Sequence, residues 1–96
     1  MNEKDIEQYL RDEVRTKGGR AYKFVSPGNA GAPDRLVLLP GGRVAFVELK
    51  APGKKPTALQ SLQQKKISKL GFRVLTIDSK SKVDEFIKSM EDVKIE

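Results

Sequence analysis

The sequence predicts an α/β fold in which a small mixed β-sheet is flanked by helices. Two observations support this prediction: apolar residues recur at helical spacing near both ends of the chain, and short apolar runs of strand length lie between them. The predicted order is αβββαβα, and a mixed sheet covered by helices is the economical way to bury these elements. One domain is expected over residues 1–96, with 91–96 as a frayed tail.

The first half of the chain supplies one helix and three strands. The helix is predicted over 3–17, and the glycine pair that follows ends it. Its apolar stripe has four-residue spacing and consists of Ile6, Leu10 and Val14. Short apolar runs bounded by glycine and proline predict strands at 21–25, 34–39 and 43–50.

The second half supplies two helices and one strand. Thr57 and Gln60 have the spacing of a capping box, which predicts a helix from there to about residue 70. A strand is predicted at 72–77, and Ser81 is expected to cap a last helix. The apolar stripe of this helix is formed by Val83, Phe86, Ile87 and Met90.

A hairpin places two acidic residues at the end of adjacent strands. Side chains alternate along a strand, so Glu48 and Lys50 project from the same face. A two-residue loop would set Asp34 opposite Leu49, whereas a three-residue loop, Pro-Gly-Gly at 40–42, sets it opposite Glu48. We favour the longer loop because both carboxylates can then share one cation. The sequence therefore predicts a metal site with a lysine beside it.

The composition restricts the chemistry that is available. The absence of cysteine excludes disulfides and thiol nucleophiles, and the absence of histidine excludes histidine general bases and Ser-His triads. Oxygen ligands remain, and they favour Mg²⁺ or Mn²⁺ over zinc or copper. No apolar run has membrane-spanning length and the start of the chain lacks a signal-peptide core, so we expect a cytoplasmic protein without a membrane partner.

The positive charge of the chain is unevenly distributed. The formal net charge is +6, which suggests a polyanionic partner. No acidic residue occurs over 49–77, and this stretch carries Lys50, Lys54, Lys55, Lys65, Lys66, Lys69 and Arg73. A solvated helix surface would explain such lysines. Because the stretch begins directly after the carboxylates, a phosphate track leading to them is at least as good an interpretation.

The order and spacing of these motifs resemble the PD-(D/E)xK nuclease superfamily. Gly-x-Pro-Asp-Arg at 31–35, Phe-Val-Glu-Leu-Lys-Ala-Pro-Gly at 46–53, and Gln60 ahead of Leu-Gly at 70–71 are similar to a standalone, phage-type VRR-Nuc domain. The likeness covers roughly residues 3–78. It implies an αβββαβ core like that of restriction endonucleases, and a protein encoded by a phage or prophage in a bacterial host.

The resemblance also implies roles for the residues at the end of the hairpin. Asp34 and Glu48 would bind the divalent metal, Mg²⁺ or Mn²⁺, and the backbone carbonyl of Leu49 would complete its coordination. Lys50 would orient or deprotonate the attacking water, or stabilise the charge that develops on the phosphate. The chain lacks the Gly-Lys-Ser/Thr of a phosphate-binding loop, so no nucleotide cofactor is expected.

Both flanking helices contribute candidate residues. The family has a glutamate on the first helix that reaches the metal; Glu7 fits the expected spacing, Glu3 lies closer to the centre of the apolar stripe, and we favour Glu7. Gln60 is either the N3 residue of the capping box or a catalytic contact to phosphate or metal-bound water, and both interpretations stand equally. Nucleic-acid contacts are expected from Lys23, Arg35, Lys54, Lys55, Lys65 and Lys66.

Together these observations predict a Mg²⁺- or Mn²⁺-dependent endonuclease that hydrolyses DNA phosphodiesters. The resemblance implies selectivity for branched DNA such as Holliday junctions. Symmetric cutting of a junction needs two active sites, so we expect a homodimer that uses the apolar face of the first or last helix. Two alternatives stay open: a non-catalytic basic DNA-binding module, whose acids pair with Lys50 and Arg35, and a sequence-specific, restriction-like nuclease.

Overall fold

A computed structural model describes residues 1–91 of the chain. The elements follow the predicted order αβββαβα, which confirms the α/β class with a mixed sheet between helices. They are α1 (Glu3–Thr16), β1 (Arg20–Lys23), β2 (Arg35–Leu39), β3 (Arg43–Leu49), α2 (Ala58–Lys69), β4 (Arg73–Ile77) and α3 (Lys80–Glu91). None of the described helices is long and apolar enough to cross a membrane.

The four strands form one sheet in the order β1-β2-β3-β4. The first three are antiparallel neighbours, and β4 runs parallel to β3 after the crossover through α2. In the hairpin, Arg35 lies opposite Val47 and Leu39 lies opposite Arg43. The loop is therefore the three-residue loop that the sequence favoured. Continued by one residue, this register places Asp34 opposite Glu48.

One face of the sheet carries a wholly apolar core under α1 and α3. The buried side chains of these two helices are the predicted stripes, Ile6, Leu10, Val14, Val83, Phe86, Ile87 and Met90. At the rim, the Tyr9 hydroxyl donates to Asp84 Oδ1 at 2.7 Å and ties the two helices together. Because both stripes are buried, the expectation that one of them forms a dimer interface is wrong.

The opposite face of the sheet is covered by α2 alone, and less completely. This helix buries none of its side chains, although Gln64 Nε2 donates to Thr76 Oγ1 at 3.0 Å and fixes it over β4. The Phe46 ring on this face makes edge-on contacts with two others, Phe24 at 5.5 Å and Phe72 at 6.2 Å between ring centroids. Leu62 of α2 stays 47% exposed and Phe72 stays 49% exposed.

The start of α3 differs from the prediction that Ser81 caps it. The Ser79 hydroxyl accepts the backbone N–H of Lys82 at 3.1 Å, and its carbonyl accepts that of Val83 at 3.2 Å. Both serines are chemically suitable caps. The short connection from β4 turns the chain into the helix at once, so the earlier serine takes the capping position.

The start of α2 and the end of the described chain agree with the predicted positions of the cap and the last helix. The capping box of α2 is formed as predicted, with Thr57 and Gln60 bonded reciprocally. Of the tail expected to fray, only Glu91 is described; it ends α3 and pairs with Lys17 at 2.7 Å. The rest of that expectation, over 92–96, lies outside the described residues.

Candidate active site

Asp34 and Glu48 meet at the open end of the β2–β3 hairpin. Asp34 precedes β2, and its Oδ2 accepts the backbone N–H of Leu49 at 2.9 Å. This bond fixes the aspartate at the end of β3, while strand alternation directs the side chain of Glu48 to the α2 face. The predicted pairing of the two carboxylates is thus present in the structure.

Glu48 is a buried carboxylate that lacks the partners such a group requires. Its side chain is 3% exposed, and it is the only buried polar or charged residue within 1–91. Oε2 accepts one hydrogen bond, from Gln60 Nε2 at 3.3 Å, whereas Oε1 is buried with no hydrogen-bond partner at all. Burying an unpaired carboxylate oxygen is costly. Such an oxygen therefore marks a place where a further positive or donor group belongs.

The electrostatics of Glu48 follow from this position. Burial raises the pKa of Glu48 to about 8, and the close, negatively charged carboxylate of Asp34 adds to this shift. Lys50 opposes the shift, and Glu3 of α1 adds slightly to it. A cation at this place would oppose the upward shift of this pKa, since positive charge favours the ionised carboxylate. The strongly shifted pKa of a buried acid beside a second acid is typical of a functional site.

Gln60 connects α2 to Glu48 in a way that the sequence did not reveal. Its Oε1 accepts the backbone N–H of Thr57 at 2.8 Å, which completes the capping box. Its Nε2 donates to Glu48 Oε2. Of the two predicted roles of Gln60, the structure shows the capping role. The remaining amide group of Gln60 is bonded to Glu48, a contact that neither prediction included. Sequence spacing alone could not find this contact because it joins two separate elements.

Gly31 sets how closely the loop before β2 approaches α2. It has a φ of +87°, and a Cβ at this position would lie 2.7–2.8 Å from backbone atoms of Leu59 and Gln60. Only glycine fits both the conformation and the space. The loop that carries Asp34 therefore rests directly on the first turn of the helix that carries Gln60.

A cleft of about 260 Å³ opens beside the carboxylate pair. It is lined by Glu3, Glu7, Lys23, Phe24, Asp34, Arg35 and Leu49. Glu7 lines it but is bound by two arginines, at 2.6 Å to Arg35 and 3.4 Å to Arg11. Glu3 is exposed, forms no ion pair within residues 1–91, and influences the pKa of Glu48. Of the two candidate acids on α1, Glu3 is thus the one whose carboxylate is not already neutralised.

The basic candidates fall into separate groups. Lys50 is half-buried near Glu48, and Lys23 is exposed at the edge of the cleft. Arg35 is only 12% exposed and is held by Glu7, so it supports the wall of the cleft rather than a surface for DNA. The remaining predicted contacts are exposed on the loop after β3 and on α2: Lys54, Lys55, Lys65 and Lys66.

The residues present fit a divalent cation. Asp34 and Glu48 offer adjacent carboxylate oxygens, one of them buried without any donor. Within residues 1–91, no three acidic side chains come close enough to hold a metal by themselves. Two carboxylates and a backbone carbonyl leave several positions for water or phosphate oxygens, as Mg²⁺ prefers. The donor set contains oxygen alone and does not suit zinc or copper.

Known proteins resemble the chain both in sequence and in structure. No protein-family profile matches it. A curated relative, "Putative nuclease p44" of Acyrthosiphon pisum secondary endosymbiont phage 1, is 53% identical over 79 residues, or 82% of this chain and 85% of the relative. A solved structure described as "VRR_NUC domain" superposes with a TM-score of 0.84 at 33% identity, over 90% of this chain and 94% of that chain. The coverage is high in both directions, so whole domains correspond.

Proposed function

Since the chain belongs to the VRR-Nuc family of nuclease domains, we propose that it is a Mg²⁺- or Mn²⁺-dependent endonuclease that hydrolyses DNA phosphodiesters. The observation that carries the proposal is the buried oxygen of Glu48 that lacks a partner, next to Asp34 and Lys50. A non-catalytic binding module would need the acids as partners of Lys50 and Arg35. Within the described chain, however, Arg35 pairs with Glu7, and neither Asp34 nor Glu48 forms an ion pair.

The residues of the site would either bind the cation or hold its ligands in position. Asp34 and Glu48 would hold the cation, with the carbonyl of Leu49 as a third ligand and Glu3, rather than Glu7, as the acid of α1 nearest to it. When bound, the cation supplies Lewis acidity and positive charge beside the phosphate. Gln60 keeps Glu48 in place, and this positioning matters because phosphoryl transfer depends mainly on alignment and charge.

Lys50 has two possible roles that chemistry can separate. It either accepts a proton from the attacking water or places its charge against the phosphate oxygens. Arginine keeps the charge but does not release its proton near neutral pH. A Lys50→Arg variant that retains activity would assign the electrostatic role, and a variant as inactive as Lys50→Ala would assign proton transfer.

We further propose that the enzyme prefers branched DNA, such as four-way junctions, and acts as a homodimer in the cytoplasm of a bacterial host. The phage origin of its relative supports the setting. Two cuts in one junction need two active sites, which a homodimer supplies. Light scattering at the concentration used for cleavage tests the dimer, and a monomer there would contradict it.

The decisive test is cleavage of a labelled four-way junction and of a linear duplex of matched sequence. Wild-type protein should cut the junction with Mg²⁺ or Mn²⁺ and not in EDTA. Glu48→Gln should lower the rate by at least about 100-fold, because even groups that only support a ligand cost 10–100-fold. Glu85→Gln, on the exposed surface of α3, is the matched control and should cut normally.

Other outcomes would revise the proposal in defined ways. Preferential cutting of the duplex at fixed positions would replace junction selectivity by sequence selectivity. Cutting that persists in EDTA would overturn the metal dependence. Tight binding without cutting under any condition would favour the binding module.

A further inference from the structure

A second cleft of about 260 Å³ lies between α1 and β1, next to the candidate site. It is lined by Arg11, Arg15, Gly19, Arg20, Ala21 and Tyr22, so three of its six residues are arginines and none is acidic. None of these arginines belongs to the basic stretch after the carboxylates. We call this region the arginine cleft.

The arginine cleft and the cleft at the carboxylates follow one another along the same two elements, α1 and β1. Glu7, Arg11 and Arg15 follow one another at four-residue spacing, so they share one side of α1. Glu7 lines the cleft at the carboxylates, and the two arginines line the other. Along β1, Lys23 borders the site and Arg20 borders the arginine cleft. The surface between α1 and β1, which we call the α1–β1 groove, thus carries the acidic residues at the site and only basic charges at the arginine cleft.

The ion pairs of these arginines are weak enough to be exchanged for phosphate. Arg15 is 63% exposed and lies 3.7 Å from Asp12, and Arg11 is 38% exposed and lies 3.4 Å from Glu7. Arg20 is exposed and forms no ion pair within residues 1–91. Exposed pairs of this kind contribute at most about 1 kcal/mol. The guanidinium group also matches phosphate oxygens in a bidentate manner.

We propose that the arginine cleft binds the phosphates of a DNA arm that leaves the active site along the α1–β1 groove. This inference rests on the proposed function and adds a binding surface to it. Arg15 lies eight residues, or about 12 Å, beyond Glu7. At a rise of about 3.4 Å per nucleotide, that distance corresponds to about three to four nucleotides of one strand. The cleft would therefore hold phosphates within about four nucleotides of the cut.

The position of the cleft in the sheet explains why it would favour branched DNA. β1 forms one edge of the sheet, whereas α2, which carries Lys65 and Lys66, lies over β4 at the other edge. The arginine cleft and the lysines of α2 therefore lie toward opposite edges of the sheet, with the carboxylates between them. A junction sends two arms away from the cut in different directions, so each surface can take one arm. A straight duplex placed along the lysines would leave the arginine cleft empty.

The test compares two double variants with the same loss of charge. Arg15→Gln/Arg20→Gln removes the two most exposed arginines, and Lys80→Gln/Lys88→Gln removes two exposed lysines of α3 as the control. Both are made in the Glu48→Gln protein and measured in EDTA, so that binding is followed without cutting. Fluorescence anisotropy then gives affinities for a four-way junction and a linear duplex over a series of salt concentrations.

We expect the arginine variant to bind the junction about tenfold or more weakly. The slope of its log affinity against log salt concentration should become shallower by about two, near 0.9 for each lost phosphate contact. Duplex affinity should change less, and the control should stay within about twofold on both DNAs. Equal losses in the two double variants, or an unchanged salt dependence, would overturn the proposal. Equal losses on junction and duplex would overturn the assignment to a second arm.

Failure of this inference can be told apart from failure of the proposed function. If the wild-type protein cuts junctions but the arginine variant still binds them normally, the arginine cleft alone is wrong. If the wild-type protein cuts no DNA, the enzymatic proposal is wrong, whatever the binding data show. Thermal unfolding of each variant checks that a lost affinity is not a lost fold.

Discussion

The two faces of the β-sheet differ in what they bury. The face under α1 and α3 buries apolar side chains only, whereas the face under α2 buries the carboxylate of Glu48 and leaves Leu62 and Phe72 about half exposed. Val47 and Glu48 are neighbours in β3 and point to opposite faces. One strand thus contributes to the core and to the candidate site in alternate residues. The buried apolar side chains are concentrated on one face, and the other face holds a buried carboxylate with an unpaired oxygen.

The largest effect on stability should come from a matched pair of leucine truncations. Leu10→Ala opens a cavity in the core face and should lower the free energy of unfolding by about 2–5 kcal/mol. Leu62→Ala, on the half-exposed face, should cost less than about 1 kcal/mol. Urea unfolding measures both. Similar losses in the free energy of unfolding would show that α2 packs as tightly in solution as α1, and would contradict the difference between the two faces.

Gln60 offers a variant that separates capping from positioning. Gln60→Glu keeps an acceptor for the N–H of Thr57 but replaces the donor to Glu48 by a negative charge. We expect cleavage to fall by about 10–100-fold, as for groups that hold a metal ligand in place. Thr57→Ala removes the other half of the capping box and should lose about 1 kcal/mol of stability while most activity is kept. Cleavage rates and urea midpoints for both variants decide between the roles.

Alanine substitutions at two glycines test how closely the loop before β2 packs against α2. Gly28 and Gly31 have φ of +82° and +87°, but only at Gly31 would a Cβ meet backbone, that of Leu59 and Gln60. Alanine should cost about 1–2 kcal/mol at either position for its conformation. At Gly31 it should cost more and should also reduce cleavage, because the first turn of α2 must move. Equal stabilities and activities of the two variants would contradict this contact.

A change of pH tests the buried carboxylate of Glu48 through the stability of the protein. The pKa of Glu48 is about 8 in the folded protein, against an ordinary value of 4.5. Between these values the folded state keeps a proton that the unfolded chain has lost, so stability falls as pH rises, by at most about 1.4 kcal/mol per pH unit. Urea midpoints in EDTA from pH 5 to 8 should show this decline in the wild type and a flatter one in Glu48→Gln. Parallel profiles would argue against a protonated Glu48.

The sequence alone determined the elements and their order, and it predicted which residues meet at the candidate site. Helical spacing, glycine stops and the capping box are local signals, so they predicted α1, α2 and the strands closely. The three-residue hairpin loop, and with it the pairing of Asp34 with Glu48, followed because register depends on turn length and alternation. The family resemblance rested on the same short motifs and is shown by the comparisons.

Only the tertiary structure decided which charged groups are free and which are neutralised. Glu7 and Arg35 both looked functional in the sequence, yet they bind each other at 2.6 Å, and the contact joins a helix to a strand 28 positions away. The bond from Gln60 to Glu48 and the gathering of Arg11, Arg15 and Arg20 beside β1 also join distant segments. Local patterns determine secondary structure because its hydrogen bonds are local. Pairing of side chains depends on distances that only packing creates.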